Sequence, residues 1–182
     1  MTVTSSDVAQ LVIRTGVGSA LFAHGAQKLL GWFGGGGPEG TAQYFEAVGI
    51  QPGKYSAIAS GIAEGVGGAA LVLGLGTPAA GAAVAGNMAV AAAQHTPKGF
   101  FNADGGFEFP ALLGLIAAGF TLGGPGKLSL DHALGDVFNK PWMRGVAVVS
   151  IIPAAATIIY LQRKAQQNAP AVDDGPGDEV YE

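Results

Sequence analysis

The chain has 182 residues, 49% hydrophobic and 12% charged, with a formal net charge of -4 and no cysteine. An ordinary soluble domain carries roughly 25% charged residues, so this chain lacks the polar surface to cover a globule in water; a lipid-facing exterior removes that need. The acidic balance excludes a basic stripe for nucleic acid, and the missing cysteines exclude disulfides, thiolate nucleophiles and cysteine metal sites.

A membrane-spanning helix needs about 20 predominantly apolar residues. Residues 1–10 carry no basic n-region, and the first apolar run ends in His24, Gln27 and Lys28 rather than a cleavage site, so it is kept as helix one, residues 8–30. Arg14 and Lys28 lie near its ends and are expected to reach the two interfaces, Arg14 anchoring the one opposite Lys28. The glycine run at 34–37 is read as a flexible turn, followed by a surface-lying helix over 38–48 with Pro38 in its first turn. Between Glu64 and Lys98 lie 33 uncharged residues, too many for one span. Gly74, Gly76 and Pro78 divide them into helices at 55–75 and 77–95, a hairpin. Uncharged runs of 18 residues between Glu108 and Lys127, and of 18 between Arg144 and Arg163, supply helices four and five. The fold expected is an all-α integral membrane bundle: a four-helix core over 1–131, a connecting segment and fifth transmembrane helix over 132–161, and a disordered acidic tail over 162–182.

Many of the 31 glycines sit inside the apolar runs at helical spacing. Gly61, Gly65 and Gly68 form a small-residue face that admits a close neighbouring helix, and Glu64 on that face points inward. Ala82, Ala85, Gly86 and Ala89 repeat the pattern on helix three, and such faces suit packing within one chain or in a homo-oligomer equally. Trp32, Phe33, Tyr44 and Phe45 at one end, and Trp142 at the other, fit interfacial belts.

Depth along the helices gathers the polar residues. With 1.5 Å of rise per residue, His24, Glu64 and Asn87 reach similar depths of about 10–13 Å from one face, and Lys28 shares a helix face with His24 and Gln27. They are expected to form a polar pocket, with Glu64 and His24 handling protons and Gln27, Lys28 and Asn87 binding ligand. A lone carboxylate at that depth costs several kcal/mol, so Glu64 is protonated or paired with Lys28 or His24. Protonated, it can donate to a carbonyl such as that of a quinone head group; paired, it can relay a proton. His95, Lys98 and Glu108 belong to loops on the same side and are read as a mouth over the pocket. His132 falls on the opposite side, which disfavours paired haem ligation, and no metal-binding spacing is present.

These residues carry a resemblance. The order His24-Gly25-x-Gln27-Lys28, Gly31-Trp32-Phe33-Gly34-Gly35, Ala63-Glu64 followed by Gly67-Gly68, Pro97-Lys98-Gly99-Phe100-Phe101 and Gly106-Phe107-Glu108-Phe109-Pro110 resembles the DoxX family of bacterial membrane proteins, over residues 11–131. The resemblance implies a four-helix bundle in the bacterial inner membrane, related to the small subunit of thiosulfate:quinone oxidoreductase, with His24, Gln27, Lys28, Glu64 and Glu108 as its motif residues. Phe107 and Phe109 stand where the family often has tyrosine. Redox physiology follows from it more firmly than any reaction. Three roles are weighed: a redox-associated subunit binding a quinone-like ligand, a non-catalytic scaffold docking other oxidoreductases, and a small-solute transporter.

Overall fold

The computed structural model describes residues 2–167. Among them are seven α-helices and no strand: α1 (Ser5–Leu30), α2 (Gly37–Ala47), α3 (Gly53–Leu73), α4 (Thr77–His95), α5 (Glu108–Gly123), the single turn α6 (Leu130–Ala133) and α7 (Pro141–Gln167). Thr4 starts α1 with a reciprocal cap. Its hydroxyl accepts from the Asp7 backbone N–H, and the Asp7 carboxylate accepts from the Thr4 N–H at 2.9 Å. The α3–α4 hairpin turns on Gly74 and Gly76, both at positive φ (63° and 57°), after which Pro78 sits in the first turn of α4.

Helices α1, α3, α4 and α5 enclose a core of Leu21, Leu71, Val84, Ala85, Met88, Leu113, Ala117 and Phe120. Glycine sets the spacing of the closest pair. A Cβ at Gly68 would lie 2.6 Å from the Gly18 carbonyl oxygen, and one at Gly25 would lie 2.8 Å from that of Gly61 and closer still to the Gly65 backbone. Backbone packs on backbone where α1 crosses α3, with both helices contributing small residues. The glycines of α3 announce this face in the sequence; Gly18 and Gly25 on α1 complete it.

Polarity runs from inside to outside in the sense lipid demands. Arg14, Ser60, Glu64, Thr121 and Asp131 are buried, while Val12, Ile13, Leu112, Leu115, Val149 and Ile152 face outward. Helices α3 and α7 are long and apolar enough to cross a membrane, and α5 is a shorter apolar helix. The architecture is an all-α membrane bundle.

Three expectations are corrected. Arg14 does not snorkel out to solvent. It is 1% exposed and donates to the backbone carbonyls of Leu71 and Val72 in the last turn of α3 and of Leu128 before α6. Second, α7 continues to Gln167, so residues 162–167 are helix rather than tail. Gln162 is buried and accepts a hydrogen bond from Gln94 Nε2 at 2.6 Å, and Gln166 donates to the Val48 carbonyl at 3.0 Å. The remainder of the acidic tail, 168–182, lies outside the described residues. Third, the glycine run is not a loose connector: Gly35 packs directly on the Gln27 backbone, leaving no room for a side chain.

The end of the bundle away from Lys28 is tied by carboxylates accepting from backbone. Buried Asp131 takes the N–H groups of Gly76 (2.8 Å) and Thr77 (3.0 Å), opening α4. Asp7 takes that of Lys127 at 3.0 Å. Beyond α6, hydrogen bonds from Asn139 and then His132 hold the Asp136 carboxyl below the usual carboxylate range.

Candidate functional site

Glu64 stands in the middle of α3, 3% exposed, on the face that meets α1. Lys28, in the last turn of α1, reaches it where Gly61 lets that turn lie close on α3; a Cβ there would lie 2.6 Å from Leu29 Cγ and 3.3 Å from Lys28 Cβ. Lys28 Nζ donates to Glu64 Oε2. Asn87 from α4 donates through Nδ2 to Oε1 at 2.9 Å, and Ser60, one turn before Glu64, places Oγ 3.5 Å from the same oxygen. Both carboxylate oxygens therefore have donors, the condition under which a buried charge is tolerated. Of the two partners open to Glu64 in the sequence, Lys28 holds it. Asn87 joins the cluster at the depth expected.

Two cavities meet at this cluster. The larger, about 1120 Å³, is a groove floored by α4, walled by α3 and α7, and bounded at one end by α2. Alanine, glycine, valine and isoleucine dominate its surface, including Ala82, Ala83, Gly86, Val146, Ile151 and Ile158. Its ionisable and amide groups are Lys28, Glu64 and Asn87, gathered with Ser60, and Gln94, His95 and Gln162 towards the loop end; Tyr44, Tyr55, Ser56 and Ser150 add hydroxyls. The small-residue face of α4 thus faces open space at Gly86 rather than a close helix, and it is the cavity that its small side chains make room for. The second cavity, about 200 Å³, lies on the α5 side and is lined by His24, His95, Phe109 and Leu113 as well as Lys28 and Glu64.

The remaining expected residues fall into two groups. His24 lines the small cavity with its ring edge-on to Phe109, centroids 6.0 Å apart, without a bond to Glu64. His95 lines both cavities; its Nδ1 lies 2.7 Å from the Gly105 carbonyl, so Nδ1 carries the proton. Gln27, Lys98 and Glu108 line neither. Gln27 Nε2 donates to the Phe33 carbonyl at 3.4 Å, closing the turn after α1. Glu108 Oε2 accepts from the Asn102 N–H at 3.0 Å and fastens the loop at 99–107, on whose edge Lys98 is exposed.

Sequence reasoning missed Ser60 and the whole α7 wall. Ser60 had a signal, a polar residue one turn from Glu64 on the same face. Gln162 had one as well: Ile151, Ala155 and Ile158 precede it at helical spacing, continuing one stripe of α7 past the expected boundary. Among the described residues, no group of three or more His, Cys, Asp or Glu comes together that could hold a metal ion.

The DoxX family model matches residues 9–97, the stretch that contains α1 to α4 with Lys28, Ser60, Glu64 and Asn87. This is shorter than the 11–131 over which the motifs were read, and α5 and α7 lie beyond it. No curated protein and no solved structure matches the chain. Residues 9–97, which hold the Lys28–Glu64 pair and the α4 floor of the groove, form a DoxX family domain.

Proposed function

We propose that this protein crosses the bacterial inner membrane five times, as α1, α3, α4, α5 and α7, and serves there as a redox-associated subunit that binds a quinone-like molecule in the large groove. One observation carries the reading: a mostly apolar groove of about 1120 Å³ has the hydrogen-bonded cluster Lys28–Glu64–Asn87 in its wall. Binding sites for drug-sized ligands are mostly apolar concavities of about 300–1,000 Å³ with a few polar groups that fix orientation. A lipophilic tail lies along Ala83, Val146 and Ile151, and a carbonyl-bearing head group meets the donors of Lys28 and Asn87. Glu64 handles protons beside it, with His24 in the adjoining cavity. Other oxidoreductases dock at the loop end, where His95, Lys98 and Glu108 lie.

Trp142 lines the groove at the end away from the loops, where a bound quinone ring or tail lies within reach of its indole. The test is native mass spectrometry with lipid extraction on detergent-purified wild type, Glu64→Gln and Asn87→Leu, paired with quinone titration of Trp142 fluorescence in a Trp32→Phe background. Wild type is expected to carry quinone and both variants to lose it. Absence of quinone from wild type, with no quenching on titration, overturns the reading. A second reading, a non-catalytic scaffold, is favoured by Phe100 and Phe101, exposed beside Lys98 on a loop fastened by Glu108. It expects Lys98→Glu to release partners in pull-downs while Glu64→Gln leaves them bound.

A further inference from the structure

Lys28, Glu64, Ala91 and His95 line both cavities. The ion pair is therefore a septum, with a different kind of space on each face. The groove side is apolar over most of its surface. On the α5 side, His24, Lys28, Glu64, His95 and Asn102 bring polar groups from α1, α3, α4 and the loop into about 200 Å³. A buried water occupies about 30 Å³ and needs two to four polar partners, so this space has room for several waters and offers them partners. With Nδ1 of His95 committed to the Gly105 carbonyl, Nε2 of the neutral ring is an acceptor.

We propose that the small cavity is a water-filled port through which Glu64 exchanges protons with the aqueous phase beyond residues 96–107, the Lys28–Glu64 pair closing that port off from the lipophilic groove. The proton passes from water to the Glu64 carboxylate and returns by the same route, and Lys28 keeps its own proton throughout. The titratable groups facing Glu64 are Lys28 and His24 from α1 and His95 from α4; α5 contributes Phe109, Pro110 and Leu113, which do not titrate. On the groove side, Tyr44 and Tyr55 stand at the loop end, and α7 faces the carboxylate with no ionisable side chain among its lining residues. The use made of the port rests on the quinone-like reading; its existence does not.

The absence of cysteine from the chain makes single-cysteine labelling unambiguous. Phe109→Cys places a thiol in the port outside the apolar core and Ser150→Cys places one in the groove, each in the full chain in lipid nanodiscs. A thiol in apolar surroundings has its pKa raised and presents less thiolate, one unit meaning about tenfold in rate. Phe109→Cys is therefore expected to react with a charged methanethiosulfonate at least about tenfold faster than Ser150→Cys. Asn102→Trp, a plug at the loop wall, is expected to slow the first reaction. Charged-reagent rates that are equal at the two positions, or slower at Phe109→Cys, overturn the port. His24→Cys, on the α1 wall, gives the same comparison if Phe109→Cys fails to fold. Labelling needs no ligand, so fast labelling with no quinone bound sinks the ligand reading and leaves the port standing.

Discussion

Replacing Gly25 by alanine adds one methyl group, and the structure states what it meets. The new carbon lies 2.8 Å from the Gly61 carbonyl oxygen and closer still to the Gly65 backbone, short of the 3.4 Å at which ordinary contact begins. All three neighbours are backbone, so no side chain can swing aside and α1 must move off α3. Overpacking of this kind costs about 1–3 kcal/mol, which lowers the folded-to-unfolded ratio by about five- to 150-fold. Gly16 on the same helix is the control, since a Cβ there meets nothing within 4 Å. Gly16→Ala is expected to stabilise by about 0.4–1 kcal/mol, because it only restricts the unfolded chain. Both are measured by sodium dodecyl sulfate titration of protein in mixed micelles, following helix content by circular dichroism. If Gly25→Ala proves as stable as Gly16→Ala, α1 and α3 do not touch backbone to backbone and the placement of Lys28 against Glu64 loses its foundation.

Other outcomes follow from the same contacts. Lys28→Met strands a carboxylate that is 5% exposed, whereas Glu64→Gln strands an ammonium group that is 21% exposed and can lean to water. Removing one partner of a buried pair costs about 3–5 kcal/mol; Lys28→Met should fall in that range, Glu64→Gln well below it, and the double variant should recover part of the loss in the same titration. Hydrogen bonds from Asn139 and then His132 hold the Asp136 carboxyl, between α6 and α7, below its ordinary value, so the stability it contributes is complete above its unfolded pKa and is lost as pH falls through the lowered folded one. Asn139→Ala, which removes the largest cause, should move that loss to higher pH, read from the pH at which the Asp136 carboxyl carbon shifts in nuclear magnetic resonance. Gln162→Leu breaks the bond to Gln94 and should cost about 1 kcal/mol, with spin labels on α7 and α3 reporting a wider groove at the loop end.

What the sequence disclosed followed the physics of each segment. The bounds of α4 were legible to the residue because Gly76 and Pro78 open it, and the exchange of alanines for His95 and Pro97 closes it. The surface helix α2 was legible from Pro38, and the burial of Glu64 from the glycines beside it. Arg14 was not, because a cation near a helix end suits snorkelling and capping equally by sequence. Its acceptors, the carbonyls of Leu71, Val72 and Leu128, lie 57 to 114 residues away and have no side-chain signature. The pocket was half legible. Depth arithmetic brings Glu64 and Asn87 together, but rotation about the helix axis decides that His24 looks into a separate cavity, and depth carries no information on rotation. The α7 wall was hidden because Arg163 and Lys164 mark a membrane boundary, and the sequence alone places Gln162 on the wet side of it.

The same Arg14 has a consequence for how the protein is made. It sits about 14 Å along α1 from Ser5, level with the last turn of α3, and an arginine costs about 2.5–3.5 kcal/mol at the centre of a spanning helix on insertion scales, less towards its ends. Synthesis runs from the N-terminus, so α1 emerges from the ribosome before any of its three acceptors exists. Leu71 and Val72 follow 57 and 58 residues later, and Leu128 follows 114 residues later. The first helix is thus an incomplete insertion signal whose cost is met only when α3 and the segment after α5 have been translated. Ribosome-bound chains halted before residue 71 should leave α1 resting against the translocation machinery, and those halted past 128 should have released it into lipid.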